Sequence, residues 1–536
     1  MFKKKGTVML TKILTGIMLV VFFAVMIGIG LRCRHHATDV NSFVLGGRSV
    51  GPWLTAFAFG TSYFSAVIFV GYAGQFGWNF GLASTWIGLG NAFIGSLLPW
   101  VVLGRRTRLM TQQIESKTMP DFFGKRFKAP YLKTIASVIV FIFLIPYTAS
   151  LYNGLSSLFN IAFEIPYWVV IVAMSVLTGI YVIFGGYMAT AINDFIQGLI
   201  MLAGIVAVVA AVLADNGGLM EACNKLSMIP SEYAETAGAN GAFTSFFGTQ
   251  PLFLFFVVML TSLGTWGLPQ MVGKFYSISN EAAIRKGTII STLFALVVAG
   301  GCYFIGGFAR LYSDDPAIYS ESGAVMFDSI IPAMLSKMPA VIVAVVIVLV
   351  LSASMSTLSS LVLTSASTIT LDVVLTRDKT NEKKKVLVMR LFIVFFIAVS
   401  AVIAYLKDTY NFSMIAQMMG VSWGALAGSF LAPFLYGLYW KRTTPAAVIV
   451  SFVHGVVLTT VMLLKSLSVI DLPADGFIGL VFKTSLHCGV FAMVGGLILV
   501  PIVSLLTKAP DRNAVDDMFS AYDKKVTVPA TDALAD

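Results

Sequence analysis

This sequence is poor in charged residues, cysteine and histidine. Only 12% of its 536 residues are charged, whereas an ordinary soluble domain has about 25%. Its four cysteines lie far apart, at positions 33, 223, 302 and 488, which excludes a metal or redox motif built on closely paired thiols. The four histidines form no cluster with carboxylates. The chain is therefore predicted to be neither a soluble domain nor a protein with a thiol or imidazole centre.

Long apolar runs take the place of the missing charge. The chain is 57% hydrophobic, its mean hydropathy is +0.87, and runs of about 20 apolar residues, enough to cross a bilayer, recur along it. These features predict an all-α polytopic membrane protein with about thirteen transmembrane helices. The predicted spans are 10–32, 51–74, 79–103, 132–160, 164–184, 187–213, 248–272, 287–312, 338–371, 387–407, 411–439, 444–465 and 481–506. The first span is too long for a signal peptide and lacks a small-residue cleavage site, so we expect it to be retained.

The basic residues, which give a net charge of +10, cluster in loops between the spans. One cluster separates the third and fourth spans, and another separates the ninth and tenth. The segments 215–250 and 313–336 are acidic instead. Because basic loops stay in the cytoplasm, this pattern predicts an outside N-terminus and a cytoplasmic C-terminus, although Lys3, Lys4 and Lys5 oppose it. It also accounts for the charge without a nucleic-acid partner.

Two spans contain residues that break helices. Gly60–Ala66 in the second span is followed by further glycines, and Gly264–Pro269 in the seventh combines glycines with a proline. Broken helices at corresponding positions are typical of transporters built from inverted repeats, although each break could be a simple kink. The predicted organisation is an extra helix and loop (1–50), a first five-helix repeat (51–213), an extracellular loop (214–247), a second repeat (248–439), two further helices (440–506) and a cytoplasmic polar tail (507–536), expected to be disordered.

A cluster of hydroxyls in the ninth span indicates a cation site. Ala353, Ser356, Thr357 and Ser360 share one helical face, and Ser359 lies beside them. Small residues also let membrane helices approach closely, and that alternative stays open.

Asp194 is the one carboxylate well inside a predicted span. A charge there costs at least about 2.5 kcal/mol, so a functional role is the default interpretation. Together with the hydroxyls it would form an oxygen-only site, which suits an alkali or alkaline-earth ion. The alternative is a protonated carboxyl hydrogen-bonded to a neighbouring helix.

Several motifs together resemble the sodium:solute symporter family, which includes bacterial proline and pantothenate transporters. They are Phe43–Ser49, Pro120–Phe127, Gly185–Ala189, Asn193–Gln197 and Met355–Ser359. The resemblance covers nearly the whole chain. It implies a leucine-transporter-type core of two inverted five-helix repeats, and alternating access driven by a sodium gradient.

The resemblance also implies sodium ligands. The general site would use the backbone carbonyls of Thr61, Phe64 and Ala353 and the hydroxyls of Ser356 and Thr357. Some members resemble a design with two sodium ions, and the matching residues for a second site are Asp194, Ser356, Ser359 and Ser360. Either stoichiometry is compatible with the sequence.

A solute pocket near the midplane should be mostly apolar with a few polar groups. The candidates are Tyr63, Ser65, Tyr72, Trp86, Tyr147, Trp266 and Gln270, although aromatic residues in membrane helices often only pack or anchor. Arg48 and Asp121, near helix ends on the cytoplasmic side, are candidates for holding the inward gate or are solvated charges. Proline transporters of the family carry an aspartate where this chain has Tyr63, and several segments look closer to the pantothenate-type branch. Polar residues of the sugar transporters are replaced by Ile68 and Gly88.

The sequence therefore predicts a sodium-coupled symporter in the cell membrane that imports a small organic solute, pantothenate-like or proline-like, with no obligatory protein partner. One alternative is a proton-coupled symporter in which Asp194 titrates, and another is a sensor or passive channel on the same scaffold. A membrane enzyme with Ser356 or Ser359 as nucleophile lacks a base within reach.

Overall fold

The structure, a computed structural model, describes residues 2–163, 166–233, 236–376, 381–410 and 415–523. Most of these residues are helical. The helices are α1 Phe2–Cys33, α2 Val40–Leu45, α3 Pro52–Tyr63, α4 Ala73–Phe80, α5 Thr85–Ala92, α6 Arg105–Gln113, α7 Met119–Arg126, α8 Pro130–Phe163, α9 Tyr167–Asp215, α10 Leu219–Ser227, α11 Pro251–Leu263, α12 Pro269–Ser277, α13 Glu281–Gly306, α14 Phe327–Ser336, α15 Ala340–Ile369, α16 Glu382–Tyr410, α17 Ile415–Tyr439, α18 Pro445–Ser466, α19 Gly476–Val481, α20 Ser485–Leu506 and α21 Arg512–Phe519.

The number of membrane crossings agrees with the sequence prediction. In the described residues ten helical stretches are long and apolar enough to cross a membrane, and α11 with α12 makes an eleventh. Two of these stretches, Val67–Gln113 and Tyr167–Asp215, have 47 and 49 residues. A crossing needs only about 20 residues, so each is long enough for two. Counted in that way, the described residues have room for thirteen crossings.

Gly186 marks the division within α9. Its backbone angles, φ 55° and ψ −148°, lie outside the helical region, in a conformation that a residue with a side chain rarely adopts. A Cβ atom at this position would also lie 2.9 Å from the carbonyl oxygen of Phe43. The predicted spans 164–184 and 187–213 are separated at this glycine, so the helix breaks at the position that the sequence predicted.

The two predicted helix breaks are present. Helix α3 ends at Tyr63, Phe64 adopts an extended conformation (φ −98°, ψ 93°), and a π-helical turn, Val67–Tyr72, leads into α4. Helix α11 ends at Leu263, and α12 starts again at Pro269 with its axis bent by 46°. Proline at the start of α12 lacks an N–H group, which is not needed at that position. Each break frees backbone groups inside the bundle.

Helix α15 forms the centre of the bundle. Nearly all its residues from Val346 to Thr368 are buried, and it packs against α1, α3, α8, α9 and α16. Its serines and threonines therefore face other helices rather than lipid. At the far end of the chain, α18 and α20 pack against α17.

Of the predicted tail 507–536, residues 507–523 are described and include helix α21, whereas residues 524–536 lie outside the described residues. Helix α21 lies against the bundle, where Asp516 forms an ion pair with Lys441 at 2.6 Å. The Arg106 guanidinium lies between the rings of Tyr439 and Tyr522, 4.0 and 4.5 Å from their centroids. A composition rich in polar residues did not reveal these long-range contacts.

Candidate functional site

The break after α3 exposes a backbone carbonyl to the centre of the bundle. Thr61 lies in the last turn of α3, and its carbonyl oxygen accepts hydrogen bonds from Ser356 Oγ and Thr357 Oγ1, both at 3.1 Å. Backbone groups freed by a broken membrane helix need partners, because no water is available there. The two side chains on α15 supply them.

The same two hydroxyls also contact a second carbonyl. Ser356 Oγ and Thr357 Oγ1 lie 3.2 and 3.1 Å from the carbonyl oxygen of Ala353, one turn earlier in α15. All four residues are buried. Two carbonyl and two hydroxyl oxygens thus converge in one buried place, and such a set of neutral oxygen ligands suits a hard cation.

Phe64 lies beside this group of oxygens. It is the first residue of the break, and its ring stacks on that of Tyr63 with 4.3 Å between centroids. The structure thus brings together Thr61, Ala353, Ser356 and Thr357 through direct contacts, and it places Phe64 at the break. A ligand role for the Phe64 carbonyl stays a prediction.

The second predicted cation position contains a lysine that the sequence analysis missed. Lys274 Nζ lies 3.7 Å from Asp194 Oδ2 and 2.9 Å from Ser360 Oγ. The Ser360 hydroxyl in turn lies 2.7 Å from that of Ser62. Ser359 Oγ donates to the carbonyl of Ser356 at 2.8 Å. Asp194 and Ser360 are thus connected through Lys274.

An aromatic cluster adjoins the break in α3. The Trp423 ring lies 6.0 Å from Tyr63 and 6.0 Å from Tyr147 between centroids. The Tyr147 hydroxyl lies near Ser65 and Trp423. Ser65 Oγ, the Tyr147 hydroxyl and Trp423 Nε1 are buried and make no hydrogen bond in the described part of the chain. This cluster offers apolar ring faces together with free polar groups, as a solute site requires.

The remaining solute candidates lie in different environments. Tyr72 is buried against Phe76. Trp266, at the break before α12, donates from Nε1 to the Ile94 carbonyl at 2.9 Å. Gln270 is buried, and neither atom of its amide group has a partner among the described residues. It lines a cavity that also contacts Lys274 and Ser360.

Trp86 does not join this group. It is 36% exposed, and its Nε1 donates to the carbonyl of Phe246, in the loop before α11, at 2.9 Å. Its ring packs edge-on against that of Phe246. The expectation that Trp86 lines the pocket is therefore not met, because α5 turns this side chain outward.

Arg48 joins segments that are distant in the sequence. Its guanidinium donates to the carbonyl oxygens of Ser116, Thr111 and Tyr276, at 2.5, 3.4 and 3.4 Å. Burial lowers the pKa of the Arg48 guanidinium from its ordinary value, but an arginine stays protonated in proteins. Arg48 is thus a partly buried cation that joins the end of α12 to the loop after α6.

Asp121 belongs to an ion network at the same end of the bundle. Its carboxylate contacts Lys125 at 2.9 Å and Lys133 at 3.2 Å. Lys133 also lies 3.3 Å from Asp372, which accepts a hydrogen bond from Thr118 at 2.5 Å. The network joins α7 and α8 to the helical turn that follows α15. Asp121 is therefore an ion-paired, largely buried carboxylate and not a solvated charge.

Several of these residues escaped the sequence analysis because the predicted spans ended too early. Lys274 lies two residues beyond the span 248–272, and Asp372 lies one residue beyond 338–371. A search for charges just outside each span could have found both. Trp423 had no such signal, because only the rotation of α17 directs it towards Tyr63.

A bundle with two broken helices and a buried site of neutral oxygens defines a secondary transporter of the inverted-repeat class. The chain belongs to the sodium:solute symporter family, because residues 43–455 match the sequence model of that family. The prediction made from the motifs is thus confirmed, and the chain is a multi-pass membrane transporter.

Similar proteins extend over almost the whole chain. It is 28% identical over 509 residues to the osmoregulated proline transporter OpuE of Bacillus subtilis (strain 168), covering 92% of this chain and 94% of that protein. It is 28% identical over 532 residues to a sodium/proline symporter of Staphylococcus aureus (strain bovine RF122 / ET3-1), covering 95% and 96%.

A solved structure supports the fold. The substrate-bound outward-open structure of a Na⁺-coupled sialic acid symporter matches with a TM-score of 0.73 and 17% identity, and the match covers 93% of this chain and 98% of that one. The predicted fold class is therefore confirmed.

Proposed function

We propose that this protein is a sodium-coupled symporter that imports a small organic solute by alternating access. The contact of Ser356 and Thr357 with the Thr61 carbonyl carries this proposal. A sodium ion held by these oxygens and the carbonyls of Phe64 and Ala353 would join the broken helix α3 to α15. It would thereby favour the conformation that accepts solute. By linkage, the solute must then raise sodium affinity by the same factor that sodium raises solute affinity.

The solute is proposed to be proline or a similarly small compound with a carboxylate. The rings of Tyr63, Tyr147 and Trp423 offer an apolar enclosure, while Ser65 and the Tyr147 hydroxyl offer polar contacts. The relatives named as proline transporters support an amino acid of this kind. A pantothenate-like carboxylate is the alternative, since Tyr63 stands where proline transporters of the family carry an aspartate.

The proposed exit route leads to the cytoplasm. A cavity lined by Gln270, Lys274 and Ser360 extends to Thr368 and Lys117, and the basic loops on that side predict a cytoplasmic location. The contacts of Arg48 and Asp121 lie at this end, so we assign to them the role of holding the inward gate.

The test is solute uptake by the purified protein in proteoliposomes at fixed pH. Labelled proline and labelled pantothenate are offered separately, with an inward gradient of sodium or of potassium. We expect one of them to accumulate only with sodium, and an ionophore that dissipates the gradient should release it. Equal accumulation of the solute with a sodium gradient and with a potassium gradient would contradict the proposal.

Proton coupling is the second candidate, because Asp194 is a buried carboxylate that could exchange a proton. The same proteoliposomes distinguish it when a proton gradient replaces the sodium gradient. Accumulation driven by protons in sodium-free buffer would favour this second candidate and remove the need for ion ligands at Ser356 and Thr357.

A further inference from the structure

Lys274 occupies the place that the sequence assigned to a second sodium ion. Its side chain is 5% exposed, and that of Asp194 is 0% exposed. The ammonium group lies 3.7 Å from Asp194 Oδ2 and 2.9 Å from Ser360 Oγ, and both of these residues belong to the predicted second site. A positively charged group therefore already contacts two of the four residues that the second ion would need, including its only carboxylate.

The charges around this position balance. In their ordinary ionised forms, Asp194 contributes one negative charge and Lys274 one positive charge. No further ion pair to either group occurs among the described residues. A sodium ion added beside the ammonium would leave an uncompensated positive charge in a buried, poorly polarisable environment, where like charges repel much more strongly than in water. The ammonium and a sodium ion should therefore exclude each other.

The position of Lys274 in the fold supports a role beyond packing. It lies in α12, directly after the broken segment of the second repeat, whereas Asp194 is in α9 and Ser360 in α15. Its ammonium group is also 5.4 Å from the centroid of the Tyr187 ring, and the cavity that reaches Lys117 begins beside it. The amine thus faces the same cavity that a departing ion would enter.

We propose that the Lys274 ammonium is a tethered cation that fills the second cation position, so that the protein binds one sodium ion, at Thr61, Ala353, Ser356 and Thr357. The residues Asp194, Ser356, Ser359 and Ser360 become a sodium site only when Lys274 is replaced by a neutral residue. This proposal rests on the proposed sodium-coupled function, and it specifies how many ions bind.

The experiment counts bound sodium with radioactive sodium at equilibrium on the purified full-length protein. We expect one ion for the wild type, two for Lys274→Gln, and one for the double variant Asp194→Asn with Lys274→Gln, which lacks the carboxylate. Lys274→Arg keeps a cation in place and should bind one. Two ions in the wild type, or one in Lys274→Gln, would overturn the proposal.

A second variant keeps the test decisive if Lys274→Gln does not fold. Ser359→Ala removes one hydroxyl of the second position but leaves Lys274, Asp194 and Ser360 in place. If the ammonium fills this position, Ser359→Ala should bind sodium with the same affinity as the wild type. An affinity about tenfold weaker, equivalent to about 1.4 kcal/mol, would show that sodium binds there and would reject the tethered cation. No bound sodium in the wild type would instead contradict the sodium coupling itself.

Discussion

Two neighbouring side chains on α15 have matched roles. Ser356 and Thr357 each contact the Thr61 carbonyl and the Ala353 carbonyl at 3.1 to 3.2 Å. A hydroxyl has one proton and two lone pairs, so it can donate to these carbonyls without an ion and turn its lone pairs to a cation when one binds. Both carbonyls therefore have hydrogen-bond donors in this conformation.

Removal of either hydroxyl should weaken sodium binding. We expect Ser356→Ala and Thr357→Ala each to raise the half-saturating sodium concentration for uptake roughly tenfold, because the loss of about 1.4 kcal/mol is a factor of ten. Uptake against sodium concentration in proteoliposomes provides the measurement. Ser354→Ala is the matched control, since Ser354 is equally buried in α15 and its hydroxyl has no partner among the described residues. An unchanged sodium dependence in both test variants would refute the assignment.

A substitution at Tyr147 tests the solute site independently of the sodium site. We expect Tyr147→Phe to raise the KM for the solute about threefold to tenfold, because a hydrogen bond contributes about 0.5–1.5 kcal/mol, while the ring and the sodium dependence remain. Tyr152→Phe is the control, since Tyr152 is also buried in α8 but its hydroxyl accepts a hydrogen bond from Ser175 at 3.1 Å. If both variants change KM equally, the Tyr147 hydroxyl does not contact the solute.

At the scale of elements, ion pairs join α7 and α8 to the short segment that follows α15. Lys133 on α8 contacts Asp121 on α7 and Asp372 in the turn after α15, at 3.2 and 3.3 Å. Asp372 is 1% exposed and Asp121 is 8% exposed at the side chain. Removal of Lys133 would leave two poorly hydrated carboxylates close to each other without the cation that they share.

The network predicts a difference between its two lysines. We expect Lys133→Met to lower the free energy of unfolding by about 3 kcal/mol, the lower end of the range for breaking a buried ion pair. Lys125 contacts the same Asp121, but its side chain is 41% exposed, so Lys125→Met should cost about 0–1 kcal/mol. Thermal unfolding of the purified proteins in detergent provides the comparison. Equal losses of stability would show that burial does not control the strength of this network.

At the scale of the whole molecule, the loops predict the orientation in the membrane. Met228 follows α10 in the predicted extracellular loop and is 73% exposed. Lys508 follows α20 and is exposed on the predicted cytoplasmic side. We expect a membrane-impermeant maleimide to label Met228→Cys in intact cells, and to label Lys508→Cys only after permeabilisation. Cys223→Ser provides the background, because Cys223 is partly exposed in α10. The reverse pattern would invert the predicted orientation.

Features that depend on neighbouring residues were predicted from the sequence, whereas side-chain positions that depend on the fold were not. Hydropathy over about 20 residues is a local property, and it predicted the crossings. Glycine and proline are equally local signals, and they predicted the breaks near Phe64 and Pro269. The spacing of Ser356 and Thr357 placed them on one face, and the resemblance supplied Thr61 as their partner. Trp86 was assigned to the pocket from its residue type alone, and the structure shows it turned outward.

The sequence by itself determined that this is a polytopic helical transporter of the sodium:solute symporter family, because these features depend on composition, short-range spacing and motifs. Only the tertiary structure decided that Lys274 pairs with Asp194, that Trp423 joins Tyr63 and Tyr147, and that α21 lies against the bundle. Each of these contacts joins residues that are far apart in the chain. They depend on the rotation and tilt of whole helices, which are set by packing between helices and not by the sequence of any one of them.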